Sequence, residues 1–290
     1  MIKKKYLLIF AGFLFLLDIF LWAEVFDLNK SQNLTVNFLD VGQGDSIFIE
    51  TPQHHQILID GGANSSALQK MSSFMPFFDR TIDLVILTHP EKDHMQGLID
   101  ILQRYKADYI LWTGVKKQDP EYYAWMDILT KQKNMGAKII IAEYGQRITA
   151  GNVFIDTLHP FESLENKELK ETSNDAGVVA RLIFGKNSFL FTGDMSGNLE
   201  KEFVREDINV DSNVLKVAHH GSKYSTSEEF LQNVNPEIAV ISVGAENSYG
   251  HPTPETLQRL EKFGIKIFRT DKDGTVEVSS DGENIFAHNN

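Results

Sequence analysis

The chain has 290 residues, 42% of them hydrophobic and 23% charged, an ordinary globular balance that disfavours disorder, collagen-like repeats and a polytopic membrane protein. It contains no cysteine, which removes disulfide scaffolds, thiolate zinc sites, iron–sulfur clusters and cysteine nucleophiles and leaves His, Asp and Glu as the strong metal ligands. A formal net charge of −12 argues against a protein that holds nucleic acid by bulk electrostatics, but not against metal-assisted cleavage of a phosphodiester.

Residues 1–30 read as an address. Lys3-Lys4-Lys5 precedes an apolar run from Tyr6 to Ala23 interrupted by Asp18, the pattern of a signal peptide or a single membrane anchor. The run is short for a spanning helix of about 20 residues, and Leu21-Trp22-Ala23 is a poor cleavage site, so an uncleaved anchor is preferred. Either way the lysines stay inside, and residues 31–290 are expected as one extracytoplasmic domain, membrane-anchored or secreted.

From Leu34 the chain alternates short β-branched runs with helical patterns. Leu34–Leu39, Ser46–Glu50 and Ile57–Ile59 predict a strand meander, followed by a strand at Leu84–Leu87 and a helix over Asp93–Tyr105. Further on, strands are expected at Tyr109–Trp112, Ile139–Ala142, Val153–Leu158, Val178–Phe184, Ser188–Thr192, Val214–Ala218, Ile238–Val243 and Ile267–Arg269. Helices are expected at Pro120–Met135, Ser196–Glu206, Ser227–Val234 and Pro254–Phe263, the last with Pro in its first turn and Gly264 just beyond. Phe161–Thr172, rich in Glu and Lys, reads as a solvated loop or short helix. The interleaving predicts an α/β fold, two sheets covered by helices in one compact domain.

Thr88-His89-Pro90-Glu91-Lys92-Asp93-His94 places four candidate ligands where a buried strand gives way to a helix. Such a cluster packs poorly and binds metal well; the alternative is a charged loop with Asp93 capping the helix. Three more apolar strands deliver Asp or His to their ends: Asp60, Asp194, and the pair His219-His220. Asp194 is placed to bridge two ions, with Asp93, His94 and a histidine of the pair on one, and His89 and Glu91 on the other.

His-x-Glu-x-Asp-His with the downstream Gly-Asp and His elements resembles the metallo-β-lactamase superfamily. Within it, Phe38 to Ser46, Thr192-Gly193-Asp194, Lys216 to Lys223 and Tyr249-Gly250-His251-Pro252-x-Pro254 resemble the extracellular hydrolase domain of the ComEC DNA-uptake family, over about Leu34 to Val278. The resemblance implies an αββα sandwich of two mixed sheets flanked by helices, a metal-dependent hydrolase, and nuclease activity on DNA outside the cell. Two departures stand out. Glu91 occupies the usual second histidine position, as is typical of the ComEC-like group, and Asn174-Asp175-Ala176-Gly177 stands where the third histidine is usual. Oxygen-rich donors shift preference from zinc toward manganese or magnesium.

Several residues carry a second reading. Asp60 is expected to support the site by hydrogen bonding, with Asn174, Asp175 and His220 as supporting or alternative ligands. His219 is preferred to His220 because it comes first after its strand. Lys216, Ser222 and Lys223 are candidates to hold a phosphate, or else ordinary polarity around a strand end. His251 is a candidate proton donor to the leaving group, or else a turn histidine. His159 is rejected as a ligand, His54 and His55 are placed at a hairpin tip and His288 in the tail. Phe74, Phe77, Phe78, Tyr122, Tyr123 and Trp125 are expected to pack.

Together these predict a hydrolase with two divalent ions, manganese or zinc with magnesium an alternative, in which a metal-bound hydroxide oriented by Asp93 attacks a phosphodiester. Nucleic acid is the expected substrate, with the cytoplasmic membrane and other DNA-uptake proteins as partners. The rivals are a hydrolase of small or cell-envelope phosphodiesters such as phosphorylcholine esters, a β-lactam or lactone hydrolase, and a catalytically weak metal-binding module.

Overall fold

The computed structural model describes residues 2–28, 33–168 and 174–289. The chain divides into two compact units, Met1–Gln32 and Asn33–Asn290. The expected boundary between residues 30 and 31 lies outside the described residues. In the first unit α1 (Ile2–Leu28) contains Lys4–Trp22, 19 residues apolar enough to cross a membrane. Its apolar side chains from Tyr6 to Trp22 are exposed, including Tyr6, Phe10, Phe15 and Trp22.

The second unit starts with an antiparallel meander of β1 (Leu34–Phe38), β2 (Ile47–Glu50) and β3 (Gln56–Ile59). Then α2 (Ser66–Met71), β4 (Thr81–Ile86), α3 (Lys92–Arg104), β5 (Lys106–Trp112), α4 (Pro120–Asn134) and β6 (Lys138–Ile141) follow, the strands parallel from β3 onward. The next four strands, β7 (Arg147–Ala150), β8 (Val153–His159), β9 (Val179–Phe184) and β10 (Asn187–Phe191), are antiparallel. After α5 (Gly197–Arg205), the strands β11 (Val214–Lys216), β12 (Ile238–Ile241) and β13 (Lys266–Arg269) run parallel to β10, separated by α6 (Glu228–Val234) and α7 (Pro254–Lys262). A single turn, α8 (Thr270–Asp273), leads into the hairpin β14 (Val276–Ser280) and β15 (Ile285–Asn289), where β14 pairs with β1.

The result is two mixed sheets, ordered β15-β14-β1-β2-β3-β4-β5-β6 and β13-β12-β11-β10-β9-β8-β7. Period-2 alternation sends one set of side chains from each sheet inward, and Phe38, Ile49, Ile86, Leu182, Phe189 and Val240 are among those meeting between the sheets. The other face of the first sheet buries Phe48, Val85 and Ile110 against α3 and α4, through Met95, Leu98 and Trp125. The second sheet's outer face buries Leu190, Leu215 and Ile241 against Phe203 of α5, Leu231 of α6 and Leu260 of α7. Three apolar layers therefore separate four structural ones, α-β-β-α. Local signals set the helix starts: Asp119 accepts the Tyr122 N–H (2.7 Å) ahead of Pro120, and Ser196 accepts from Asn198 (3.2 Å).

The assigned strands and helices lie close to the expected segments, but α2, β7, α8, β14 and β15 are additional. His288 lies on β15 rather than in a tail, because the Asp281-Gly282 turn closes a hairpin and does not end the fold. Residues 161–168 of the expected loop follow β8, with Lys116 bridging to Glu168; residues 169–172 lie outside the described residues. Among the aromatics expected to pack, Trp125 and Tyr122 are buried, whereas Phe77 and Phe78 are 79% and 90% exposed on the loop before β4, and Tyr123 is exposed.

Candidate metal centre

Both sheets deliver polar side chains to one end of the sandwich. β3 runs into Asp60, β4 into the Thr88–His94 segment, β10 into Asp194 and β11 into His219 and His220. Asp60 is fully buried and its carboxylate accepts three hydrogen bonds: Oδ1 accepts the Thr88 N–H (2.8 Å), and Oδ2 accepts the Thr88 hydroxyl (2.6 Å) and His94 Nδ1 (2.8 Å).

These bonds fix the imidazole tautomers. His94 donates from Nδ1 to Asp60. The Thr88 hydroxyl hydrogen is directed at Asp60, so its oxygen accepts from His89 Nδ1 (3.0 Å). His220 Nδ1 donates to the Ser242 carbonyl (2.9 Å), a group that only accepts. All three rings therefore turn an Nε2 lone pair inward. The Nε2 atoms of His89, His94 and His220 and Oδ1 of Asp194 are buried without a hydrogen-bond partner among the described residues. Asp194 Oδ1 lies 3.3 Å from His94 Nε2 and 3.5 Å from His220 Nε2, and Asp93 Oδ2 lies 3.4 Å from His220 Nε2. Donor atoms of His89, His94 and Asp194, and of Asp93, His94 and His220, form two triads, each within 4.8 Å. Lone pairs gathered in this way repel unless a cation lies among them, so these residues fit a divalent ion.

The charges of the cluster shift one another's proton affinities. Burial pushes Asp194 up, but His220, His94 and His89 outweigh it and hold the carboxyl well below the usual range. Burial likewise opposes His94 and His220, yet Asp194 raises both, with Asp60 adding to His94 and Asp93 to His220. His89 is depressed by burial and by His94. Asp93 is raised by burial but falls below its ordinary value through His220 and His94.

The backbone decides between the paired histidines. His219 and His220 have φ of 48° and 54°, successive left-handed residues, which carries strain of about 1–3 kcal/mol each. The twist turns buried His220 into the cluster and leaves His219 at the mouth, its Nε2 3.8 Å from Asp194 Oδ2. The order along the strand, which favours His219, is thus reversed in space.

The phosphate-holding expectation for Lys216 is corrected: its ammonium is buried, paired with Asp45 and 3.3 Å from the Gly193 carbonyl, out of a substrate's reach. Ser222 is also buried, its carbonyl accepting from Thr256 (2.9 Å), while Lys223 is exposed with its ammonium over the Tyr224 ring. Glu91 pairs with Lys117 (2.9 Å) at the cleft wall. Asp175 turns away, accepting from the Ser196 N–H (3.1 Å) and hydroxyl (2.9 Å), and Asn174 faces His219 Nδ1 (3.5 Å). His159 lies elsewhere, donating from Nδ1 to the Gly177 carbonyl (2.7 Å).

Asp45 is the residue that sequence reasoning missed. It joins Lys216 to the back of the cluster, with Oδ1 3.5 Å from His220 Nδ1. Its approach depends on Gly44, which has φ of 106° and whose added Cβ would lie 1.9 Å from the Asp93 carbonyl oxygen. A Gly-x-Gly-Asp run at the end of a buried strand was the available signal.

A cleft of about 130 Å³ opens onto the cluster, lined by Gln43, Glu91, Asp93, Asn174, Asp194, His219, His220, Tyr249 and His251. His251 stacks on Tyr249 and contacts the His219 ring at 5.5 Å between centroids. Burial depresses both His219 and His251, which keeps them neutral near pH 7.

A model of the metallo-beta-lactamase superfamily matches residues 39–245. The chain is similar to ComE operon protein 3 of Bacillus subtilis, 30% identical over 259 residues that cover 83% of this chain and 32% of that protein. It is also similar to competence protein ComA of Neisseria gonorrhoeae, 32% identical over 247 residues, with coverage of 83% and 32%. The chain thus spans about a third of the length of these curated relatives. Igni18, a metallo hydrolase of Ignicoccus hospitalis, shares the fold with a TM-score of 0.53 at 20% identity, covering 84% of this chain and 98% of that one.

Proposed function

Because this chain belongs to the metallo-beta-lactamase superfamily, we propose that it is a metal-dependent phosphodiesterase that cleaves nucleic acid outside the cytoplasmic membrane, in the service of DNA uptake. The observation that carries this reading is the convergence of four buried, partnerless atoms, His89 Nε2, His94 Nε2, His220 Nε2 and Asp194 Oδ1, beside an open cleft. The competence proteins among its relatives support DNA as the polymer, and α1 supports an anchor.

Asp93, His94, His220 and Asp194 would hold an ion, with His89 beside it. Bound divalent ions, manganese, zinc or magnesium, would supply Lewis acidity, neutralising phosphate charge and acidifying water. The protein's own groups do the rest. Asp60, Thr88 and the Ser242 carbonyl hold the ligand rings in one tautomer and orientation. Asp93, ionised and partly open to the cleft, orients the attacking water through a carboxylate oxygen. His219 and His251, as neutral imidazoles, offer ring N–H groups to phosphoryl and leaving oxygens. Tyr249, 68% exposed at the rim, offers a face for a base to stack on, which suits a strand or an end better than duplex wrapping by a body so acidic.

The test is cleavage of single- and double-stranded DNA and of a bis-aryl phosphate ester by the purified chain with manganese, zinc, magnesium or chelator, beside Asp93→Ala and Asp194→Ala. Metal-dependent DNA cleavage should fall about a thousandfold or more in both variants. Intact DNA under every metal, with the ester hydrolysed, would replace nucleic acid by small or envelope phosphodiesters.

A further inference from the structure

We propose that this chain holds one ion tightly and a second only weakly, because Lys117 withholds Glu91 from the second position. The inference rests on the metal centre proposed above and sharpens its stoichiometry.

The two positions differ in what surrounds their donors. For the first, Asp93, His94, His220 and Asp194 bring four ligand groups into one cluster, enough for a tetrahedral ion. For the second, the sequence offers His89 and Glu91, with Asn174 or Asp175 in place of a third histidine. Of these, His89 turns a partnerless Nε2 toward Asp194. Asp175 is engaged by both the backbone and hydroxyl of Ser196. Asn174 faces His219.

Glu91 is the decisive donor, and Lys117 is built to hold it. The Lys117 ammonium has three hydrogens and three acceptors: Glu91 Oε2 at 2.9 Å, the Pro90 carbonyl at 3.1 Å and Asp119 Oδ2 at 3.2 Å. Asp119 is itself fixed, since its Oδ1 caps α4 through the Tyr122 N–H at 2.7 Å. Lys117 is therefore clamped from behind by a helix cap and grips the metal-binding loop at two successive residues. It opposes a second ion in two ways, by occupying a carboxylate the ion needs and by placing a positive charge beside its position. The first ion's ligand rings are held by acceptors on the far side from the cluster, and the buried cation nearby, Lys216, is paired with Asp45 and not with a ligand of that ion.

Equilibrium dialysis of the full-length chain against manganese or zinc, with bound metal counted by elemental mass spectrometry, tests this without reference to activity. The wild-type chain should bind one ion per chain, and a second at free metal about tenfold higher or more. Lys117→Met should tighten the second ion about tenfold while leaving the first unchanged, Lys117→Arg should behave as wild type, and adding Glu91→Gln to Lys117→Met should restore the gap. Uptake of two ions in one step by the wild type, or an unchanged second affinity in a folded Lys117→Met protein, would overturn the proposal. Glu91→Gln alone gives an independent reading, because loss of the tightly held ion would show Glu91 to be its ligand and also overturn it. A chain that binds one ion tightly but cleaves no nucleic acid sinks the nuclease reading and leaves this one standing; a chain that binds none sinks both.

Discussion

The centre has a buried histidine half and an open carboxylate half, and they are built on different principles. His94 and His220 are less than 3% exposed, and each is held from behind, His94 by Asp60 and His220 by the Ser242 carbonyl, with Asp45 and Lys216 beyond. Glu91 and Asp175 stand near the surface, where a lysine and a serine compete for them. Burial denies the first group any partner except an ion or a proton, whereas exposure gives the second group alternatives. Metal affinity should therefore be concentrated where the donors have the least choice.

This contrast can be broken most severely from behind. Lys216→Met leaves the buried Asp45 carboxyl without its lysine partner, and should destabilise the fold by about 3–5 kcal/mol, lowering the unfolding temperature by roughly 10 °C, as calorimetry would show. A near-wild-type Tm would mean that the buried pair does not brace the histidine half.

Asp60→Asn comes next. It keeps the shape but removes an acceptor that serves both Thr88 and His94, and should weaken metal binding about 10–100-fold in dialysis. Unchanged affinity would show that the tautomer of His94 is set elsewhere.

The smallest and most diagnostic effect concerns pH. His94 and His220 have folded pKa values above the usual 6.5, so in the metal-free chain their stabilisation is complete below about pH 6.5 and is lost as pH rises through the folded values. With chelator present, thermal stability should decline as pH rises above about 6.5. Asp194, held low, adds stability that is lost only on acidification toward its folded pKa, below this window. With metal present the trend should reverse, because protons and ion compete for the same Nε2 atoms. Parallel trends would mean that the ion binds elsewhere.

Much of this was legible in the residues. Alternating β-branched runs and capped helical periods located most elements, since burial on one face leaves its period in the sequence. The additional hairpin of β14 and β15 escaped notice because β14 is an inner strand by virtue of pairing with β1, more than 230 residues away, which no local pattern records. Among site residues, the delivery of Asp60 and Asp194 to strand ends, and of His94 to the first turn of the helix after β4, was visible. That the His220 ring enters the buried cluster while His219 stays at its mouth was not, because it depends on two left-handed residues whose strain the surrounding fold maintains. Lys216 misled for a related reason: a lysine after an apolar strand looks available until its partner is known, and that partner, Asp45, lies 171 positions earlier.

The sequence by itself determined which donors exist and which strands and loops carry them, because cysteine is absent and the apolar periods leave few places for buried His and Asp. Only the tertiary structure decided which lone pairs face one another and which are taken by neighbours. Chain connectivity fixes where a side chain starts, but hydrogen bonds from distant segments, Asp60 to His94, Ser242 to His220 and Lys117 to Glu91, fix where it points.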